Sequence, residues 1–316
     1  MRDIAAELRE WDAAGDEIAL ATVVETWGSS PRPLASKMAV TRSGKMAGSV
    51  SNGCIEGAVF EEAQKVLESG RAKLCAFGVA DDLAFEVGLA CGGHIEVFVQ
   101  PLSDSHREAI SALAEEREGL LTTDLESGAT AFTEGATDTL QPVRRDGQFV
   151  EPVATPAQMV IVGAIHIAIP LHRLAKLMGY RVTVVDARSQ FATKERFPEA
   201  DAVVVAWPDD GLSGLRLDRS TALVILTHDP KFDLPALRAA LASKAGYIGA
   251  IGSRKTNANR LEKLREEGYA AGDLARVHGP IGLDLGGRSA EETALAIMAE
   301  VVATAHGAAA GYISRG

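Results

Sequence analysis

The sequence predicts an α/β protein: a doubly wound parallel sheet in the C-terminal half, preceded by a smaller α+β domain. Three observations predict it. The second half alternates short, continuously apolar runs with amphipathic segments of helical period, the pattern of strands buried on both faces by helices. The first of those runs ends in Gly163-Ala164-Ile165-His166, a glycine loop that opens a helix. The first half mixes strand-like and helical stretches without a βαβ rhythm, so its sheet is not expected to be parallel.

The elements follow in order. In residues 1–11, Ile4, Leu8 and Trp11 share one face of a short amphipathic helix. Residues 18–25 alternate as a strand, and 37–40 and 45–50 flank the hairpin signal Ser43-Gly44. Residues 56–67 read as a helix that stops before Gly70, 71–79 and 94–99 as strands, and 105–117 as a helix. Pro142, Gly147, Pro152 and Pro156 mark 141–156 as a connector with room for a short hairpin. Strands are then expected at 159–162, 181–186, 202–206, 222–226 and 247–251, and helices at 167–178, 233–243, 253–267 and 289–305. The last helix opens on a capping box, Ser289 with Glu292. The predicted organisation is an N-terminal domain over 1–140, the connector, a Rossmann-like domain over 157–306 and a flexible tail over 307–316.

At 316 residues, with 47% apolar residues, the chain is long enough for two ordinary domains. A formal net charge of −11 argues against binding to nucleic acid or to anionic lipid, both of which need a positive field. No stretch reads as a transmembrane helix and no leader pattern is visible, so a cytoplasmic location is expected. The cysteines are Cys54, Cys75 and Cys91, an odd number that suits reduced thiols better than a disulfide framework.

Four loops could carry chemistry. In Ser49-Val50-Ser51-Asn52-Gly53-Cys54-Ile55-Glu56-Gly57, a strand runs through small residues into a helix. Backbone N–H groups there, Gly53 among them, would make an anion site and favour a Cys54 thiolate able to bind a soft metal. The alternative is a tight turn around a small buried cysteine. Cys91-Gly92-Gly93-His94 offers a second thiol, with Gly92 giving the backbone close access to whatever that thiol faces. His94 reads first as an ordinary strand histidine. The two cysteines lie too far apart for a structural zinc knuckle. Gly28-Ser29-Ser30-Pro31-Arg32-Pro33 places Arg32 as a phosphate fork or as part of a structured surface loop. In the second half, Asp186 stands where a ribose-binding acid is expected, but Ile165 replaces the glycine that lets a backbone approach a pyrophosphate. The fold signal is therefore strong and an NAD(P) site is not expected. Gly252-Ser253-Arg254-Lys255 opens a helix with cations in its first turn, against the dipole, which suits a bound phosphate. His228 and Asp229 form either an acid–base pair or a helix cap.

Together these stretches resemble the XdhC/CoxI family over nearly the whole chain. The resemblance is carried by residues 21–24 through 28–33, 48–59 and 91–93, and further on by Thr227-His228-Asp229, 247–254 and Gly279-Pro280-Ile281-Gly282-Leu283-Asp284. It implies an accessory protein for xanthine dehydrogenase-type molybdenum hydroxylases, not an enzyme that oxidises purines itself. Such a protein would bind molybdenum cofactor (molybdopterin) transiently. It would support replacement of an oxo ligand by sulfur with a cysteine desulfurase and pass the cofactor to the apo-enzyme. Cys54 or Cys91 would then lie beside the metal, with Arg254 or the Arg32 loop on the phosphate. Asn52, Ala90 and Ile165 depart from the family pattern, which has glycine at each. The alternatives are a scaffold for the desulfurase that holds no cofactor and, third, an NAD(P)-dependent oxidoreductase. A homodimer could form through an apolar helical stripe over 293–302, although the same stripe would also pack on the sheet.

Overall fold

The computed structural model describes residues 1–28, 32–78, 93–135, 141–312 and 314. The chain divides into two compact units, Met1–Thr155 and Pro156–Gly316.

The first unit begins with a 3-10 turn (Arg2–Ile4) that runs into α1 (Ala5–Ala13). It continues through β1 (Ile18–Trp27), β2 (Lys37–Thr41), β3 (Met46–Gly48), α2 (Glu56–Ser69), β4 (Lys73–Phe77), β5 (His94–Pro101) and α3 (Asp104–Ala114). Four strands close it: β6 (Gly119–Asp124), β7 (Thr130–Glu134), β8 (Val143–Arg145) and β9 (Gln148–Val153). The first five strands form an antiparallel sheet in the order β3-β2-β1-β5-β4. β1 is buried on both faces because its alternate residues meet different helices. Ala19, Ala21 and Val23 pack with Val59, Ala63 and Val66 of α2. Ile18 and Leu20 pack with Leu8 and Trp11 of α1.

The last four strands form a second sheet, β7-β6-β9-β8. The segment 141–156, expected as a connector, thus contains a hairpin whose β9 pairs along the length of β6. Its turn residues do signal a reversal, but the pairing with β6 depends on contacts remote in sequence. The two sheets are pinned together by Lys37, which is fully buried and donates to Glu151 Oε1 at 2.8 Å and Thr22 Oγ1 at 2.9 Å.

The second unit runs β10 (Gln158–Val162), α4 (Ala168–Leu177), β11 (Arg181–Val185), β12 (Ala202–Val204), α5 (Pro208–Ser213), β13 (Thr221–Ile225) and α6 (Pro230–Ala242). It continues with β14 (Tyr247–Ala250), α7 (Arg254–Glu266), α8 (Ala271–Leu274), β15 (Val277–His278) and α9 (Ala290–Ala305). All strand pairs are parallel, in the order β12-β11-β10-β13-β14-β15. One face is covered by α4 and α9, with Met159 and Ile161 against Leu171 and Ile297. The other takes α6 and α7, with Val160 and Val162 in one cluster with Leu237 and Leu264. The order reverses at β10, so the carboxyl ends of β10 and β13 border the crevice in which such sheets hold ligands.

Candidate functional site

In the first unit the small-residue loop 49–55 closes around the carboxylate of Glu56. Its Oε1 accepts from Ser49 Oγ at 2.5 Å, Ser51 N at 2.8 Å and Val50 N at 3.2 Å. Its Oε2 accepts from Ser51 Oγ and, at 2.8 Å, from Gly53 N. Two further loop amides are held by hydroxyls: Asn52 N donates to Ser49 Oγ and Ile55 N to Ser51 Oγ, each at 2.9 Å. Burial alone would raise the Glu56 carboxyl, but the hydroxyl and amide donors outweigh it and hold it at about 2. The loop is therefore an anion cradle, as its composition predicts, but its anion is internal. The expectation that these amides await a ligand is corrected. Each of those donors already has a partner inside the loop. The wrap requires left-handed backbone at Asn52 (φ +58) and Gly53 (φ +109). It places Cys54 on the outer side, exposed and in no disulfide. The alternative of a small buried cysteine does not hold at this position; it describes Cys75, buried in β4.

The remaining expected residues of this unit are dispersed. Cys91 and Gly92 lie outside the described residues. Arg32 is half-buried with Nη2 3.6 Å from Asp3. His94 stands opposite Trp27 in the β1–β5 register, with Nε2 3.7 Å from Glu96.

In the second unit the carboxyl edge of the sheet is built around two buried carboxylates. Gly163 follows β10 with φ +106, and a Cβ there would stand 2.6 Å from Thr227 Cγ2, so only glycine fits. Asp186, after β11, is fully buried. It accepts Ala164 N at 2.8 Å and a fork from Arg188: Nε to Oδ1 at 2.9 Å and Nη2 to Oδ2 at 2.7 Å. Burial would raise this carboxyl, but the Arg188 and Ala164 donors hold it below the ordinary aspartate value. An acid placed to take ribose hydroxyls is thus engaged by its own chain.

The second carboxylate, Asp233 of α6, accepts from Thr227 Oγ1 and from Arg260 Nη2 of α7. Arg260 also donates to the carbonyls of Thr227 and Ile251 and to Asn257 Oδ1. One buried guanidinium thereby fixes the loops that follow β13 and β14. In this frame Asp229 caps α6, accepting Lys231 N at 2.9 Å, and His228 beside it is exposed. The cap is the reading that the geometry matches. Ser253 caps α7, accepting Thr256 N at 3.0 Å, while Arg254 and Lys255 face solvent beside Gly252. His228, Thr256, Arg260 and Lys263 line an open cavity of about 430 Å³ between α6 and α7.

Two family models match the chain. The model of the XdhC and CoxI family matches residues 11–78, which include the Glu56 loop. The XdhC Rossmann domain matches residues 159–301, the sheet with its Asp186 and Asp233 loops. The chain belongs to the XdhC/CoxI family. It is 26% identical to a probable xanthine dehydrogenase subunit of Bacillus subtilis (strain 168), over 92% of this chain and 93% of that protein. It is 28% identical to the molybdenum cofactor insertion chaperone PaoD of Escherichia coli (strain K12), over 91% of this chain and 83% of that protein. A solved structure described as a xanthine dehydrogenase from Bacillus halodurans has the same fold, with a TM-score of 0.75, 24% identity and 96% of both chains covered.

Two departures from the XdhC/CoxI pattern have physical readings in this fold. Asn52 stands at a left-handed position, where asparagine is the side chain tolerated best after glycine. Ile165 lies in the turn before α4, half-buried, and packs against the core of the second unit where the family pattern has glycine. Two residues of the site are not evident from the sequence, Glu56 and Arg260, whereas Arg188 is placed beside Asp186 at the strand end by the sequence itself. Glu56 has a visible signal, an acid in the first turn after a hydroxyl-rich loop. Arg188 stands two residues after Asp186, but nothing in that spacing shows that it forks the carboxylate. Arg260 looks like any solvated cation in a polar helix, and only the packing of α6 on α7 buries it. Among the described residues no group of three or more His, Cys, Asp and Glu side chains is arranged to hold a metal ion. None of the described helices is long and apolar enough to cross a membrane.

Proposed function

We propose that this protein is an accessory factor that takes molybdenum cofactor as cargo, supports its sulfuration, and delivers it to a xanthine dehydrogenase-type molybdoenzyme. The observation that carries the reading is similarity along nearly the whole chain, both units included, to a molybdenum cofactor insertion chaperone. The site chemistry agrees with it. Cys54 presents an exposed thiol at the outer side of a rigid, hydrogen-bonded turn. Sulfur is a soft donor suited to a soft metal. Cys91 with Gly92 is proposed as the second thiol of the metal end. Arg254, exposed at the first position of α7 beside Gly252 and Ser253, is proposed to take the phosphate, because it places a cation at the amide end of that helix. Arg32 is a weaker candidate for that task, since it is half-buried beside Asp3. A cysteine desulfurase is the proposed source of sulfur.

An NAD(P)-dependent oxidoreductase is disfavoured by Ile165 and by the Asp186–Arg188 fork. The test is anaerobic retention of molybdenum cofactor by purified protein, comparing the unmodified chain with Cys54→Ala and Cys91→Ala. Stoichiometric retention that weakens in either variant is expected. Retention equal in all three proteins removes the thiols from the site. Loss of retention in the unmodified chain, under conditions where a known carrier binds, overturns the reading in favour of a scaffold that recruits the desulfurase.

A further inference from the structure

The carboxyl edge of the parallel sheet carries an aromatic platform that the reading above does not use. Trp207 follows β12 and sits at the start of α5 in extended backbone, with Pro208 next to it. Its indole stacks on Phe232 of α6, ring centroids 4.7 Å apart and planes at 26°. Phe232 is buried, whereas Trp207 remains 47% exposed. The guanidinium of Arg188 lies 5.6 Å from the Phe232 ring and 4.4 Å over the Phe191 ring. Arg188 is itself fixed by the fork to Asp186. Trp207, Phe232 and Arg188 follow three different strands of one sheet, and the Phe232 ring contacts both of the others. A half-exposed indole backed by a buried ring offers a stacking surface for another planar ring.

Ligands of doubly wound sheets bind at these carboxyl ends. Here the elements that would receive a dinucleotide's other parts are closed. Asp186 is fully buried and engaged by Ala164 N and Arg188, and the turn before α4 carries Ile165, packed on the core, in place of a glycine. What stays accessible is the surface for a ring, without the ribose acid or the pyrophosphate loop. We infer that the second unit binds a fused, planar nitrogen heterocycle by stacking it on Trp207. This rests in part on the proposed function, which supplies one source of such a ring, the pterin of molybdenum cofactor. The other source is the base of a purine nucleotide.

The test uses the full chain carrying Trp27→Phe, since Trp27 is 74% exposed in the other unit and Trp11 is 7% exposed, so that Trp207 is the indole that solvent reaches. Tryptophan fluorescence is titrated with 6-carboxypterin and, separately, with adenosine 5′-monophosphate. Saturable quenching is expected. Adding Trp207→Ala should weaken binding, read by calorimetry, by about tenfold or more, the range of base–aromatic stacking. Adding Trp207→Phe should restore most of it, which a change in folding alone would not do. Quenching by the pterin alone identifies the ring as pterin; quenching by both identifies a surface for any such heterocycle. Absence of saturable quenching by either ligand, or equal affinity in the Trp207→Ala protein, overturns the inference. Retention of molybdenum cofactor is measured on the same proteins. Normal retention with no quenching leaves the proposed function standing without this site, whereas quenching without retention does the reverse.

Discussion

Both units build a loop around an internal carboxylate at the point where a strand hands over to a helix, and they do it to different effect. In the first unit Glu56 gathers amides and hydroxyls from residues 49–53, all of them neutral donors of the same loop. The result is a rigid turn with one reactive group, Cys54, left outside. In the second unit Asp186 takes a loop amide and is then covered by the fork of Arg188. The result is a sealed edge on which aromatic rings are the accessible feature. A carboxylate satisfied by neutral donors of its own loop organises that loop and takes up those donors. One satisfied by a cation closes the space it borders. A glycine-bearing loop at a strand end is therefore not a ligand site until its amides are shown to lack partners.

That contrast can be broken at the ionic anchors first. Arg260→Ala removes the cation that serves Asp233, Thr227 and Ile251 and leaves a buried carboxylate unpaired. A loss of about 3–5 kcal/mol is expected in urea unfolding. A loss of less than about 1 kcal/mol would mean that the α6–α7 contact does not depend on this pair.

The second expected effect is acid sensitivity of the first unit. His106 is buried, with Nδ1 2.7 Å from Ser103 Oγ and Nε2 3.1 Å from the Gln100 side chain. Burial, with Lys37 and Arg107 nearby, lowers its pKa from 6.5 to about 3. The unfolded chain therefore binds a proton that the folded chain refuses, and stability is lost as pH falls from about 6.5 toward 3. His106→Gln should flatten this slope in thermal unfolding followed against pH. An unchanged slope would place the acid sensitivity elsewhere.

Glu56 sharpens the same contrast at lower pH. Its folded value of about 2 lies below the ordinary 4.5, so its contribution is complete above 4.5 and is lost as pH falls through 2. Glu56→Gln keeps the shape but not the charge. A loss of about 1–3 kcal/mol at neutral pH, with the low-pH slope removed, is expected. If cofactor retention also falls in this variant while Cys54 is intact, the rigid turn is what positions the thiol. The smallest effect on stability is expected for Cys54→Ala, within about 0.5 kcal/mol, because the side chain is exposed. A larger loss would show that the thiol has a packing role.

Much of the second unit is legible in the sequence, and less of the first. Continuous apolar runs such as Met159 to Val162 and the capping box at Ser289 and Glu292 are local signals, and the strands and final helix lie where they predict. The sheet formed by β6, β7, β8 and β9 is not, because short half-exposed strands such as Thr130–Glu134 and Val143–Arg145 carry little apolar pattern. Their identity comes from pairing partners remote in the chain. The site divides in the same way. The Cys54 loop and the Asp186 position follow from residue types in order along the chain. Whether their donors and acceptors are available depends on Glu56 and Arg188, whose partners are set by side-chain geometry.

The sequence by itself determined the family, the alternation that makes a parallel sheet, and the loops at which strands meet helices. These rest on backbone preferences and hydrophobic period, which act over a few residues. Only the tertiary structure decided which groups remain open to a ligand. It closed Asp186, buried Arg260 and Lys37, exposed Cys54, and stacked Trp207 on Phe232. Those outcomes depend on which polar groups find partners when distant segments come together, because burial makes an unpaired donor or charge too costly to keep.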